Sequence, residues 1–77
     1  MAVDLDRPDH KWSILKNPAT TQLHLSETLT TAYSIFDVTG HQVQVGNIDG
    51  QVIAIDQLPT GTYLLLIGRE FARFVKQ

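Results

Sequence analysis

Ile55-Asp56-Gln57-Leu58-Pro59-Thr60-Gly61-Thr62-Tyr63-Leu64-Leu65-Leu66-Ile67 is the stretch that decides the fold. Proline fixes φ near the value that the first central position of a turn requires, so Pro59 presets a turn and Gly61 completes it. Thr62 to Ile67 follows, apolar from Tyr63 onward. A run this short, bounded by turn residues, reads as a central strand covered on both faces. Tyr63 stands two residues after the turn glycine, where its ring can anchor a core while its hydroxyl reaches a turn carbonyl.

The same grammar extends outward. Downstream, Gly68-Arg69-Glu70 turns the chain into a last strand, Phe71 to Val75. Upstream, Val52 to Ile55 reads as a strand, preceded by a loop over Asn47 to Gly50 that carries the turn signal Asp49-Gly50. Gln42-Val43-Gln44-Val45 alternates polar and apolar and pairs back on Tyr33 to Asp37 across Val38-Thr39-Gly40, with Gly40 free to take φ > 0. Ser26 to Thr31 is polar apart from Leu29 and reads as a loop, its threonines arguing against a helix. Gln22 to Leu25 alternates again. Trp12 to Leu15 is a short first strand, with Trp12 a lid on one end of the core, and it stops at Asn17-Pro18.

Seven short strands at regular turn spacing predict an all-β fold, a seven-stranded Ig-like antiparallel β-sandwich. The expected core is Ile14, Leu23, Leu25, Tyr33, Ile35, Val43, Ile53, Ile55, Leu58, Tyr63, Leu65, Ile67 and Phe74. Phe36 and Phe71 point away from Ile35 and Phe74 by alternation and are the aromatics to look for on the surface. Residues 1–11 lack periodicity and read as a linker or lead-in, so the domain spans 12–77. Met1-Ala2 before an acidic stretch suggests a chain cut from the end of a longer precursor.

The composition supports one small domain. With 77 residues, 43% hydrophobic and 18% charged, the chain has enough apolar material to fold. No cysteine is present, which removes disulfides and thiol catalysis and leaves the compartment open. The net charge of -2 includes no basic stripe of the kind nucleic acid demands. Arg69, Arg73 and Lys76 nevertheless gather near the C-terminus, with Glu70 the one acid among the last nine residues. No apolar run approaches the ~20 residues of a spanning helix.

The residues offer little chemistry. Ser13, Ser26 and Ser34 lack the glycine-flanked elbow that exposes a nucleophile. His10, His24 and His41 are too far apart in sequence to form a local metal bite. Asp37, Asp49 and Asp56 sit at strand ends, where carboxylates commonly satisfy backbone donors. No glycine-rich loop precedes a helix, so a phosphate cradle has no support. The expectation is a non-enzyme with no cofactor and no metal, an address or docking surface.

Several quoted stretches, taken in order, resemble one family. Ile14-Leu15-Lys16-Asn17-Pro18-Ala19-Thr20 followed by Leu23-His24-Leu25 is similar to the opening of the type IX secretion C-terminal sorting domain of Bacteroidota, type A. Tyr33 to Val43, with Asp37 and Gly40, resembles its central hairpin. Ile55-Asp56-Gln57-Leu58-Pro59-Thr60-Gly61-Thr62-Tyr63-Leu64-Leu65 resembles its most characteristic segment, and Arg73-Phe74-Val75-Lys76-Gln77 its terminal strand. The resemblance implies an exported protein that passes the periplasm and reaches the outer-membrane surface or the medium. It also implies partners, namely an outer-membrane translocon, a shuttle receptor and a cysteine-protease sortase, and it implies no activity in the domain itself. The recognition residues it points to are Asn17, Pro18, Asp37, Gly40, Leu58, Pro59, Gly61, Tyr63, Arg73, Phe74, Val75 and Lys76. A free final strand also permits a strand-exchanged homodimer. The competing expectations are an Ig-like adhesion module and a carbohydrate-binding module that uses Trp12, Phe36 or Phe71.

Overall fold

A computed structural model describes residues 12–15 and 18–77. They form an all-β, antiparallel structure with strands β1 (Gln22–Asp37), β2 (Gln42–Ala54), β3 (Gly61–Ile67) and β4 (Glu70–Lys76), in the sheet order β2-β1-β3-β4. The predicted lead-in over residues 1–11 lies outside the described residues.

Four strands stand where seven were expected. Gln22–Leu25 and Tyr33–Asp37 are the two ends of β1, and Gln42–Val45 and Val52–Ala54 are the two ends of β2. The intervening segments, expected as loops, pair with each other instead: Leu29 faces Gly50, Thr30 faces Asp49, Thr31 faces Ile48 and Ala32 faces Asn47. Ladder pairing needs backbone groups rather than apolar side chains, so a polar stretch exposed on both faces can be strand without showing alternation. Trp12–Leu15 adds only an isolated bridge, Ile14 to Leu25.

The sheet is also a single hydrogen-bonded array, not two separate ones, and its long hairpin is sharply bent. Leu25 to Thr28 all stand opposite Gln51, because the register jumps from His24–Val52 to Leu29–Gly50. Gly50 takes φ 132°, so the Asp49-Gly50 signal lies within β2, beside the bulge of β1, and marks no chain reversal. The Gln44 side-chain amide donates to the carbonyl of Ala54 at 2.8 Å. Ten residues of straight strand would span about 33 Å, so β2 doubles back on itself.

That bend makes a buried interior available to a four-stranded sheet. Leu23, Leu25 and Ile53 from the far half of the hairpin join Ile35, Tyr63, Leu65 and Phe74 in one cluster, closed by Trp12, Ala19, Ile55 and Leu58. Trp12 is buried as expected, and Ile14 and Tyr33 pack against the cluster half-exposed. Val43 is the exception in the expected core. A second register shift, from Ile35–Gln44 to Phe36–Gln42, leaves Val43 with no residue opposite, and it is 41% exposed. Ile48, placed in a loop by the sequence, is buried.

Candidate recognition surface

The punctuation marks scattered through the sequence converge at one end of the sheet. Asp37 is the cross-strand partner of Tyr63, and Tyr63 that of Phe74. Gly61 faces Lys76, and Lys76 bridges in parallel to Ala19, next to Pro18. Among the described residues, the final strand thus gathers the Pro18, Asp37 and Pro59 regions around itself. Asn17 lies outside the described residues.

Tyr63 organises this end. Its hydroxyl donates to the Pro59 carbonyl at 2.6 Å, and its ring stacks on Phe74 with centroids 5.6 Å apart. The turn carbonyl that the sequence assigned to this hydroxyl is therefore the one it finds. Leu58 is buried beside it, its amide bonded to the Ile55 carbonyl at 3.1 Å. Gly61 behaves differently from expectation. It has no left-handed φ, and a Cβ on it would meet the Tyr63 ring at an ordinary 3.8 Å. Its backbone is extended because it already opens β3, and the hydrogen-bonded reversal is Ile55–Leu58, with Pro59 and Thr60 leading from it into the strand.

The Asp37 turn is a three-residue loop, Val38-Thr39-Gly40, closed by bonds from the Gly40 amide to the Asp37 carbonyl and from the Asp37 amide to the His41 carbonyl. Gly40 takes φ 93°, as its place in the turn predicts. One carboxylate oxygen of Asp37 accepts three bonds: the Thr39 hydroxyl at 2.6 Å, the Thr39 amide at 2.9 Å and the His41 amide at 3.0 Å. The Thr39 hydroxyl first, then the His41 amide, hold the Asp37 carboxyl below the usual carboxylate range, against the opposing pull of partial burial. The Thr39 hydroxyl oxygen also lies 2.9 Å from His41 Nδ1, which draws the His41 ring onto the turn. Asp37 thus serves its own turn, as the sequence reading held for strand-end carboxylates.

β4 is an edge strand with two unlike faces. Phe74 and Lys76 point inward and are buried, while Phe71, Arg73 and Val75 point outward and are exposed, Phe71 at 55%. Among the described residues its free edge is bonded near its end, where the Ala19 amide donates to the Val75 carbonyl and the Gln77 amide to the Ala19 carbonyl, both at 2.8 Å. On the outer face, Val45, Ser34, Leu66 and Phe71 line up across all four strands, and Phe36, Leu64 and Arg73 form the next row.

A family model described as the secretion system C-terminal sorting domain matches residues 13–77. The chain belongs to that family. Comparison with curated proteins and with solved structures gave no match. The sorting domain is a C-terminal signal for type IX secretion, so the protein that carries it is exported, to the cell surface or the medium. No helix among the described residues is long and apolar enough to cross a membrane.

Sequence reasoning missed Ala19, Thr39 and Gln44. Thr39 was legible in principle, because Asp37-x-Thr39-Gly40 is an Asx-turn signature. Ala19 carried no signal, since its burial comes from a bridge to a strand far away in sequence. Gln44 reaches Ala54 only because β2 bends, which no local pattern encodes.

Proposed function

We propose that the sorting domain delivers its message through the outer side of β4 and the end of the sheet that Tyr63 organises, by docking to a shuttle receptor at the outer membrane. The cargo crosses the periplasm, passes the translocon and then meets a cysteine-protease sortase, or stays on its receptor. The domain contributes recognition and no catalysis, and strand exchange between two copies is a side reaction of the same free edge. The observation that carries this reading is the composition of β4: Phe71, Arg73 and Val75 outward at a sheet edge, with Phe74 inward as the anchor. Apolar contact supplies affinity and Arg73 supplies steering toward an acidic surface.

The test separates recognition from folding. Deleting residues 73–77 removes fully buried Phe74, so loss of export by that truncation would also follow from unfolding. Phe71→Ser and Arg73→Glu change only exposed side chains. In a type IX-competent host, a fluorescent cargo fused ahead of residues 1–77 should reach the surface. The double variant should accumulate inside with an unchanged melting temperature. Normal display of that variant would overturn the assignment to β4 while leaving the family membership intact.

A further inference from the structure

The geometry points to a second acceptor for an extended polypeptide: we infer that the unpaired edge of β1 between Leu29 and Tyr33, with the hollow beside it, takes up a short acidic and apolar peptide segment as an added strand. This site adjoins the receptor surface assigned to β4, since Leu66 of the hollow is the cross-strand partner of Phe71, but it uses the backbone edge of β1, and the inference stands without that assignment.

β1 has partners on both sides at its two ends and on one side only in its middle. Opposite β2, its end near the turn pairs with β3 over Ser34–Asp37. Its beginning bonds to the first segment, through Leu15 to His24 and Ser26 to Ser13. Between these, residues 27–33 pair with nothing on that side among the described residues. The Asp37 amide and carbonyl point toward β2, as their bonds to His41 and Gly40 show. Backbone groups alternate sides along a strand, so those of Ser34 and Phe36 point toward β3, and those of Ala32 and Thr30 point into the gap. Both residues are exposed, and neither has a hydrogen bond on this side among the described residues. Two donors and two acceptors in register are an invitation to another backbone.

The gap also offers side-chain recognition. A hollow of about 200 Å³ opens at its end, lined by Ala32, Tyr33, Ser34, Val45, Leu66 and Gly68. Its small residues leave room for one aliphatic side chain, and Val45, 61% exposed, walls it. Arg69 follows Gly68 at the mouth, exposed and with no ion pair among the described residues. An acidic residue beside the aliphatic one would meet it. The gap is closed at both ends, by the Ser13–Leu15 segment and by the Gly68-Arg69 turn. It therefore suits a segment of about five residues, some 17 Å long. A central strand of a second copy would run into both ends.

The probe is the capped five-residue peptide Asp-Val-Asp-Val-Asp, titrated to 1 mM (about the weakest useful affinity) against the full chain, with amide exchange followed by NMR. Binding should slow exchange at Thr30 and Ala32. Ala32→Pro removes a donor that β2 does not use, and should weaken binding about tenfold. Ser34→Leu fills the hollow and Arg69→Glu reverses the mouth charge; both should weaken binding several-fold while the melting temperature holds. No binding at 1 mM, protection confined to the β4 edge, or indifference to both Ser34→Leu and Arg69→Glu would each overturn the inference.

Discussion

Tyr63 shows how much one side chain can settle. It joins the turn at Pro59, the ring of Phe74 and the row from Asp37, so removing its oxygen touches a single bond and nothing else. Tyr63→Phe leaves the Pro59 carbonyl short of a partner and should cost about 1 kcal/mol, a fall of roughly 4–8 °C in a domain of this size. Thermal melts followed by circular dichroism measure it. At the opposite extreme, Gly61→Ala should shift the melt by no more than roughly 2–4 °C (about 0.5 kcal/mol at most), since neither φ nor space forbids a methyl group. Gly40→Ala, forced to hold a left-handed φ, should lose about 1–2 kcal/mol.

Asp37 sets a pH dependence at the same scale. Its folded carboxyl is held below its unfolded value, so it adds stability that is fully present above the unfolded value near pH ~3.9. That contribution is lost as pH falls through the lower, folded value. Asp37→Asn should therefore narrow the difference from the parent as the solution is acidified below about pH 4, when melts of the two are compared at each pH.

Among the elements, the hairpin β1–β2 departs most from its sequence. Its ends were legible because each buries alternate residues, Leu23 and Leu25 at one end, Ile35 at the other. Its middle was not, because Thr28, Thr30 and Thr31 lie exposed and the ladder there is held by backbone alone. The bend was announced by Asp49-Gly50, but the same dipeptide serves hairpin turns and bulges, and only long-range pairing tells them apart. Gln44 clasps the bend, giving one hydrogen to Ala54 and one to the Tyr33 hydroxyl at 2.9 Å. Gln44→Ala should loosen it by about 1–2 kcal/mol. The expected readout is faster amide exchange over Ile48–Ala54, with β3 and β4 unchanged. Uniform loss of protection everywhere would mean that the clasp is part of the global fold instead.

For the whole molecule, the sequence carried the all-β class, the central place of β3 and the edge position of β4. These rest on the apolar run Tyr63–Ile67 and on the inward Phe74, both local signals. The recognition surface was half legible. Phe71 follows from alternation, whereas its alignment with Leu66, Ser34 and Val45 depends on three registers that no single segment contains. The strand count failed for one reason throughout: continuity of a ladder is a property of pairs of segments, and polar pairs leave no periodic trace.

The junction between Ala19 and the last residues bears on how such a domain resists being pulled. The two segments run parallel, one leading back toward whatever precedes Trp12 and the other leading out at Gln77. A tug on the leading end against a grip on the trailing end loads the contact in shear. The two 2.8 Å bonds at Ala19 then have to rupture together and cannot peel one after the other. Tension between a cargo and whatever holds its tail, once past the Ser13–Leu15 bonds to β1, is thus met by the strongest mechanical arrangement that a pair of strands can offer.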